Sequence, residues 1–399
     1  MVKARCLLAT AALGLATSAS IAVASFAQSA APEILAVGLD RKFVYDEQGR
    51  RQALAPGRDE VAFYDLKDPG DPKLIGSLPL ENSIVGPPTN LAVTPDQRLA
   101  LIASALKSEQ GPDGTWKAVP SDELHVVDLA ARPPKLIRTI KVGSQPSGLS
   151  IDPVGRLALV ANRDGKSISV LKIDGQEVTV TSTVPMGDSV TSVAITPDGK
   201  RALATKFAAH KVALLSIGAD GKVAYDGRDL PVGLFPWTVT ISPDGARALV
   251  TNIGANAASD GNAKTISVID LRRDPARVVE HVSVGDAPEG VSISPDGRLA
   301  AVTVLQGSYD APRGSWWRNE VGLLTLLRVT DDGVAVGAST TVGAFPEGVA
   351  FSANSRFVYV GNFASSTLSI LGVDADGRVT SKKTMDLPGP PAALRIGSR

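Results

Sequence analysis

Apolar residues in this chain fall in runs of about four to seven, too short for helices and bounded by Gly, Pro, Asp and Ser, and one run recurs with its turn attached. The copies are T-P-D-Q-R-L-A-L-I-A-S from residue 94, D-P-V-G-R-L-A-L-V-A-N from 152, T-P-D-G-K-R-A-L-A-T-K from 196, S-P-D-G-A-R-A-L-V-T-N from 242, S-P-D-G-R-L-A-A-V-T-V from 294 and S-A-N-S-R-F-V-Y-V-G-N from 352. Their spacing, between 44 and 58 residues, matches propeller blades with insertions.

Each copy decomposes alike. A segment such as Pro288–Ile293 alternates apolar and small residues, and the S-P-D-G after it places Pro and Gly where a tight hairpin needs them. An apolar strand follows (248–250 in the neighbouring copy), then a loop, a β-branched strand (265–271) and a fourth strand ending in Val-Gly (278–285). Four antiparallel strands with one face left to cover make a blade, and only a closed ring covers every face. First-strand segments occur at 88–93, Pro146–Ile151, Val190–Ile195, Pro236–Ile241, Pro288–Ile293, Pro346–Phe351 and Pro391–Ile396. The last has nothing after it, while Ile34–Leu39, 61–66 and Lys73–Leu78 lack a first strand. The sequence therefore predicts an all-β, seven-bladed propeller of four-stranded antiparallel blades, closed by the C-terminal strand joining the N-terminal blade.

S-P-D-G-A-R-A-L-V-T-N followed by T-I-S-V-I-D-L resembles the YVTN-type β-propeller repeat, over essentially residues 33–397. A-N-R-D-G-K-S-I-S-V-L-K-I-D-G and G-N-F-A-S-S-T-L-S-I-L-G-V-D-A-D-G-R-V-T are similar to lactonase-like seven-bladed propellers. This resemblance implies a shared scaffold, used elsewhere by lactone hydrolases, cycloisomerases, redox-partner subunits and plain binding proteins.

Composition sharpens the picture. The 38 Gly and 27 Pro, spread through all 399 residues, exclude a helical bundle, and 41 basic against 41 acidic residues provide no field for nucleic acid. Residues 1–27 read as a signal peptide: Lys3 and Arg5, an apolar stretch, then Ser25-Phe26-Ala27 before Gln28. The single cysteine, Cys6, lies inside it, so the domain at 28–399 has no disulfide, thiolate metal site or Cys nucleophile. The expectation is a near-neutral, periplasmic or secreted monomer that does not span the membrane after cleavage.

Strand order assigns the long insertions at 40–59, 105–122, 253–264 and 305–320 to one face and the tight turns to the other, which marks a working face. At the channel mouth on that face the residue following each inner-strand start forms a ring: Thr89, Ser147, Thr191, Trp237, Glu289, Glu347 and Ala392. Glu289 and Glu347, at a solvated rim, suit a divalent cation, a basic ligand or acid/base work, with Asn252, Asn362 and Asp40 as added oxygen ligands. The plainer reading is that Glu tolerates a solvated strand start. Among three histidines only His210, in a working-face loop, is a candidate, since His125 and His281 fall within strands. Arg163, Lys206 and Lys211 on the rim admit an anionic ligand. Trp316 and Trp317, with Tyr309 and flanked by Arg313 and Arg318, suit stacking, a lid or a partner anchor, and Trp116 is a similar but isolated case.

The first functional reading is a periplasmic module that binds a small molecule or a periplasmic protein through this face. The alternative is a lactonase-like hydrolase in which Glu289 and Glu347, with His210, activate water, with or without a divalent cation.

Overall fold

A computed structural model describes residues 33–57, 59–82, 85–254 and 258–397. The segment read as a signal peptide lies outside them. Seven four-stranded antiparallel sheets follow one another along the chain. The first is completed by Pro391–Ile396, which pairs with Ile34–Leu39 through Leu35↔Ile396 and Val37↔Leu394, closing the ring as expected. No helix among the described residues is long and apolar enough to cross a membrane.

The repeated turn shows why its residues recur. In blade six the Ser294 hydroxyl donates to Asp296 Oδ1 at 2.6 Å and accepts from the Leu299 amide at 2.9 Å. Asp296 Oδ1 also accepts from the Arg298 amide at 3.1 Å, and Gly297 takes a φ of 75°. Ser, Asp and Gly thus satisfy the turn internally. Between blades the strands bury apolar faces: Leu159, Ile168 and Val170 of blade three pack on Val193, Ala202 and Leu215 of blade four. Each buried Leu, Ile or Val among them contributes about 1.5–3 kcal/mol.

Two insertions hold structure that the sequence pattern does not suggest. The 105–122 segment, expected as a loop, extends the blade-two hairpin, with Leu99–Gln110 paired to Trp116–Asp128 out to Gln110↔Trp116. The blade-one insertion folds a small hairpin, Phe43–Tyr45 with Arg51–Ala53.

Candidate functional site: a capped channel mouth

The ring positions are made by a repeated irregularity. In blade six Pro288 pairs with Val304 and Val291 with Val302, so Glu289 and Gly290 form a one-residue bulge. The same shift recurs at Pro236/Val239 and Pro346/Val349. A bulge frees the residue from the ladder and re-aims its side chain. A threonine of the preceding blade then fixes the backbone. Thr251 Oγ1 donates to Glu289 O at 2.9 Å and Thr303 Oγ1 to Glu347 O at 2.8 Å, while Thr205 Oγ1 reaches Trp237 O at 3.4 Å. Each hydroxyl also accepts an inner-strand amide of its own blade, at 2.8–3.0 Å. Three adjacent ring residues, Trp237, Glu289 and Glu347, are positioned this way.

The two glutamates are buried, Glu289 5% and Glu347 1% exposed, which corrects the expectation of a solvated rim. Their carboxyls face each other within hydrogen-bonding reach. Burial first, and for Glu347 then the neighbouring Glu289 carboxyl, pushes both proton affinities well above the usual carboxylate range. Two buried carboxyls facing each other favour keeping a proton between them. Glu289 Oε2, Glu347 Oε2, Trp237 Nε1, Thr89 Oγ1 and Ser147 Oγ are buried without a protein partner in good hydrogen-bond geometry, although Trp237 Nε1 approaches the Glu289 carboxyl, so five of the seven ring positions carry an incompletely satisfied polar atom.

Around the pair stand aromatic rings and two guanidinium groups. Arg163 lies 5.0 Å from the Phe207 ring centroid and 5.1 Å from that of Trp237, and Arg51 4.9 Å from that of Phe43. Neither makes an ion pair among the described residues. Phe235 and Phe345 precede the inner-strand prolines with φ of 55° and 54°, a left-handed turn that swings their rings toward the mouth.

The blade-one hairpin closes the arrangement. Phe43 is 3% exposed within this cluster, and Tyr45 packs on Phe345 at 5.2 Å and Tyr309 at 5.6 Å. The turn residue Gly49, φ 68°, presses on Asp310, where a Cβ would come 2.0 Å from the carbonyl oxygen. Arg313 donates its amide to Glu47 O at 2.7 Å and pairs with the Glu47 carboxylate at 2.7 Å.

The structure brings Glu289, Glu347, Trp237 and Arg163 together and separates the remaining candidates from them. His210 spends Nδ1 accepting the Phe235 amide at 3.0 Å, with its ring edge-on to Phe235 at 4.6 Å. Lys206 is held by Asp229 at 2.9 Å and Tyr225 at 3.1 Å, and Lys211 lies 4.0 Å from the same aspartate. Asn252 and Asn362 latch their own blades: Asn252 Nδ2 donates to Thr265 and Ser267, Asn362 Nδ2 to Thr367 and Ser369. The glycine ending the preceding Val-Gly lies against each of them, which explains that dipeptide. Asp40 is bound to Lys42. Trp316 is 79% exposed and meets Trp317 edge-on at 5.6 Å beside Gly261, so blade six supplies Tyr309 and Asp310 to the mouth while the tryptophans lie elsewhere. Among the described residues no three His, Cys, Asp or Glu side chains assemble a metal site.

Sequence reasoning missed Tyr45, Arg51, Phe207 and Asp310, and overlooked the repeated Gly-x-Phe-Pro that carries Phe235 and Phe345. A groove of about 1310 Å³ on the tight-turn face, between blades three and four, is lined by turn residues such as Asp152, whose carboxylate is engaged by the Arg156 and Leu157 amides.

No family model and no curated protein matches this chain. Solved structures do. A candidate 6-phosphogluconolactonase from Bacteroides uniformis has a TM-score of 0.69 at 14% identity, covering 92% of this chain and 99% of that one. The periplasmic gluconolactonase of Pseudomonas aeruginosa has a TM-score of 0.63 at 20% identity, and a functionally unknown protein from Desulfotomaculum acetoxidans 0.65 at 15%, both with the same coverage. Likeness at such identity carries the scaffold, and the scaffold is the seven-bladed propeller shared with lactonase-like proteins.

Proposed function

We propose that this protein binds a small organic molecule at the channel mouth, beneath the blade-one hairpin. The observation that carries the reading is the set of five ring positions whose buried polar atoms are incompletely satisfied, beside Arg163 and Arg51. Leaving such a group unsatisfied costs about 1–3 kcal/mol, so a ligand offering complementary donors and acceptors is stabilised at these positions. Trp237 and Phe207 give its ring a face to lie on, and the shared proton lets one carboxyl donate while the other accepts.

The test is calorimetric titration with sugar acids, lactones and neutral sugars, using Glu289→Gln and Arg163→Gln as controls. Each variant should weaken binding at least about tenfold, equivalent to 1.4 kcal/mol. Unchanged binding in both removes the ligand from the mouth.

A second reading is favoured by the Glu pair itself: a protonated carboxyl against one able to ionise is an acid and a base in contact, as lactone opening by water requires. The Bacteroides and Pseudomonas neighbours, a candidate 6-phosphogluconolactonase and a gluconolactonase by name, point the same way. Turnover of a lactone panel that disappears in Glu347→Gln would choose this reading over binding alone. Export belongs to the same proposal, and its check is a secreted chain whose N-terminal residue is Gln28.

A further inference from the structure

The channel contains a second polar group that the mouth does not use. Three residues beyond each ring position lie Ala92, Ser150, Ala194, Thr240, Ser292, Ala350 and Arg395. In every inner strand the preceding residue is at most 4% exposed, from Leu91 and Leu394 at 0% to Val349 at 4%, and packs into an inter-blade core. Six of the seven are small because neighbouring inner strands converge there: the Ser150 hydroxyl accepts the Ile195 amide of the next blade at 3.1 Å. A side chain as long as arginine has no room between two such strands and must extend along the channel. Arg395 accordingly is half-buried, as a side chain on a channel wall is, and burial lowers its proton affinity.

Of the other buried or half-buried cations, Lys42 has acidic partners in Asp40 and Asp59 and Lys206 in Asp229, while Arg247 donates Nε to the Thr330 carbonyl and, like Arg163, has no acidic partner among the described residues. Arg395 has none among the described residues; burial alone acts on it. The Thr240 and Ser292 hydroxyls, at the same level, make no hydrogen bond within the described protein. An enclosed guanidinium without a counter-charge is costly, and a planar fork with hydroxyl donors at its level matches an oxyanion's acceptors.

We propose that Arg395, with Thr240 and Ser292, forms a binding site for a small oxyanion inside the channel, about 10 Å from the glutamate ring at 3.3 Å per residue. This site is independent of the mouth and of what binds there.

The experiment is titration of the full chain with inorganic phosphate at constant ionic strength, by calorimetry and thermal unfolding. The expected result is one binding site, with phosphate raising the melting temperature. Arg395→Gln should abolish both effects while being more stable than the parent in phosphate-free buffer, since a lone enclosed cation is removed. Thr240→Val and Ser292→Ala should each weaken phosphate several-fold, and they keep the idea testable if Arg395→Gln does not fold. Glu289→Gln should leave phosphate binding unchanged. Absence of binding in the parent, full binding in Arg395→Gln, or loss in Arg163→Gln instead would each overturn the proposal.

Discussion

Two buried charge clusters near the working face have opposite characters. At the root of the blade-one hairpin, Lys42 is 1% exposed between Asp40 at 0% and Asp59 at 4%. Its ammonium bonds to Asp59 and to the Asn82 carbonyl and lies 3.3 Å from Asp40, while Asp59 also receives the Arg41 amide at 2.9 Å and the Asn82 amide at 3.2 Å. Opposite charges and backbone donors complete this cluster. The Glu289–Glu347 pair has equal burial, like charge, and one oxygen on each carboxyl without a partner. A complete cluster holds a loop in place; an incomplete one asks for a proton or a ligand.

The largest expected effect comes from breaking the complete cluster. Lys42→Met strands two carboxylates in the interior and should lower unfolding free energy by about 3–5 kcal/mol, measured by urea denaturation near neutral pH. A loss below 1 kcal/mol would mean the triad does not anchor the hairpin.

The incomplete cluster should respond in the other sense. Because both folded-state proton affinities lie above those of the unfolded chain, the native state keeps protons that the unfolded state has released, and stability falls as pH rises from about 4.5 toward the folded values. Asp59, pushed up to about 6 by burial and Asp40 against the pull of Lys42, contributes a similar fall that ends near that pH. His125, lowered from 6.5 by burial, contributes the opposite slope, also confined below neutrality. Asp310, raised by burial, contributes a fall of the same sign, so the glutamates' share is the part of the slope that the double variant removes, up to about 1.4 kcal/mol per pH unit for each proton released. The double variant Glu289→Gln/Glu347→Gln should lose that slope and be at least as stable as the parent at pH 8. A parent curve already flat there would show that the pair is ionised.

A smaller effect sharpens the contrast. Thr303→Val removes the hydroxyl that fixes the Glu347 carbonyl and should cost about 1 kcal/mol of stability, with a further loss of mouth affinity that Thr205→Val shows less, since its bond to Trp237 is longer. Smallest of all, Trp316→Ala should change stability by under about 0.5 kcal/mol and leave mouth binding untouched, because the side chain is exposed and apart from the ring.

The fold was legible because every blade repeats one turn and one apolar rhythm, so Pro391–Ile396 announced itself as an inner strand without a blade. The ring of mouth residues followed from the same register. Its charge state did not, because burial of Glu289 and Glu347 depends on the 43–53 hairpin arriving from blade one, and nothing in F-V-Y-D-E-Q-G-R-R-Q-A says where that hairpin lies. The latch made by Asn252 and Asn362 was legible from one comparison: Asn162, ending the equivalent strand in a third blade, donates to Ser167 and Ser169 in the same way, and a residue that recurs per blade serves the blade.

Ring closure through the last strand has a consequence in time. Ile34–Leu39 waits for a partner that lies more than 350 residues later, so during synthesis the first blade stays three-stranded while the others assemble in order. At 5–20 residues per second that interval is on the order of 20–70 s. Throughout it the inner edge of Ile34–Leu39, apolar along its length, is open to any strand that meets it. Protection of that edge therefore comes only with the pairing of Pro391–Ile396.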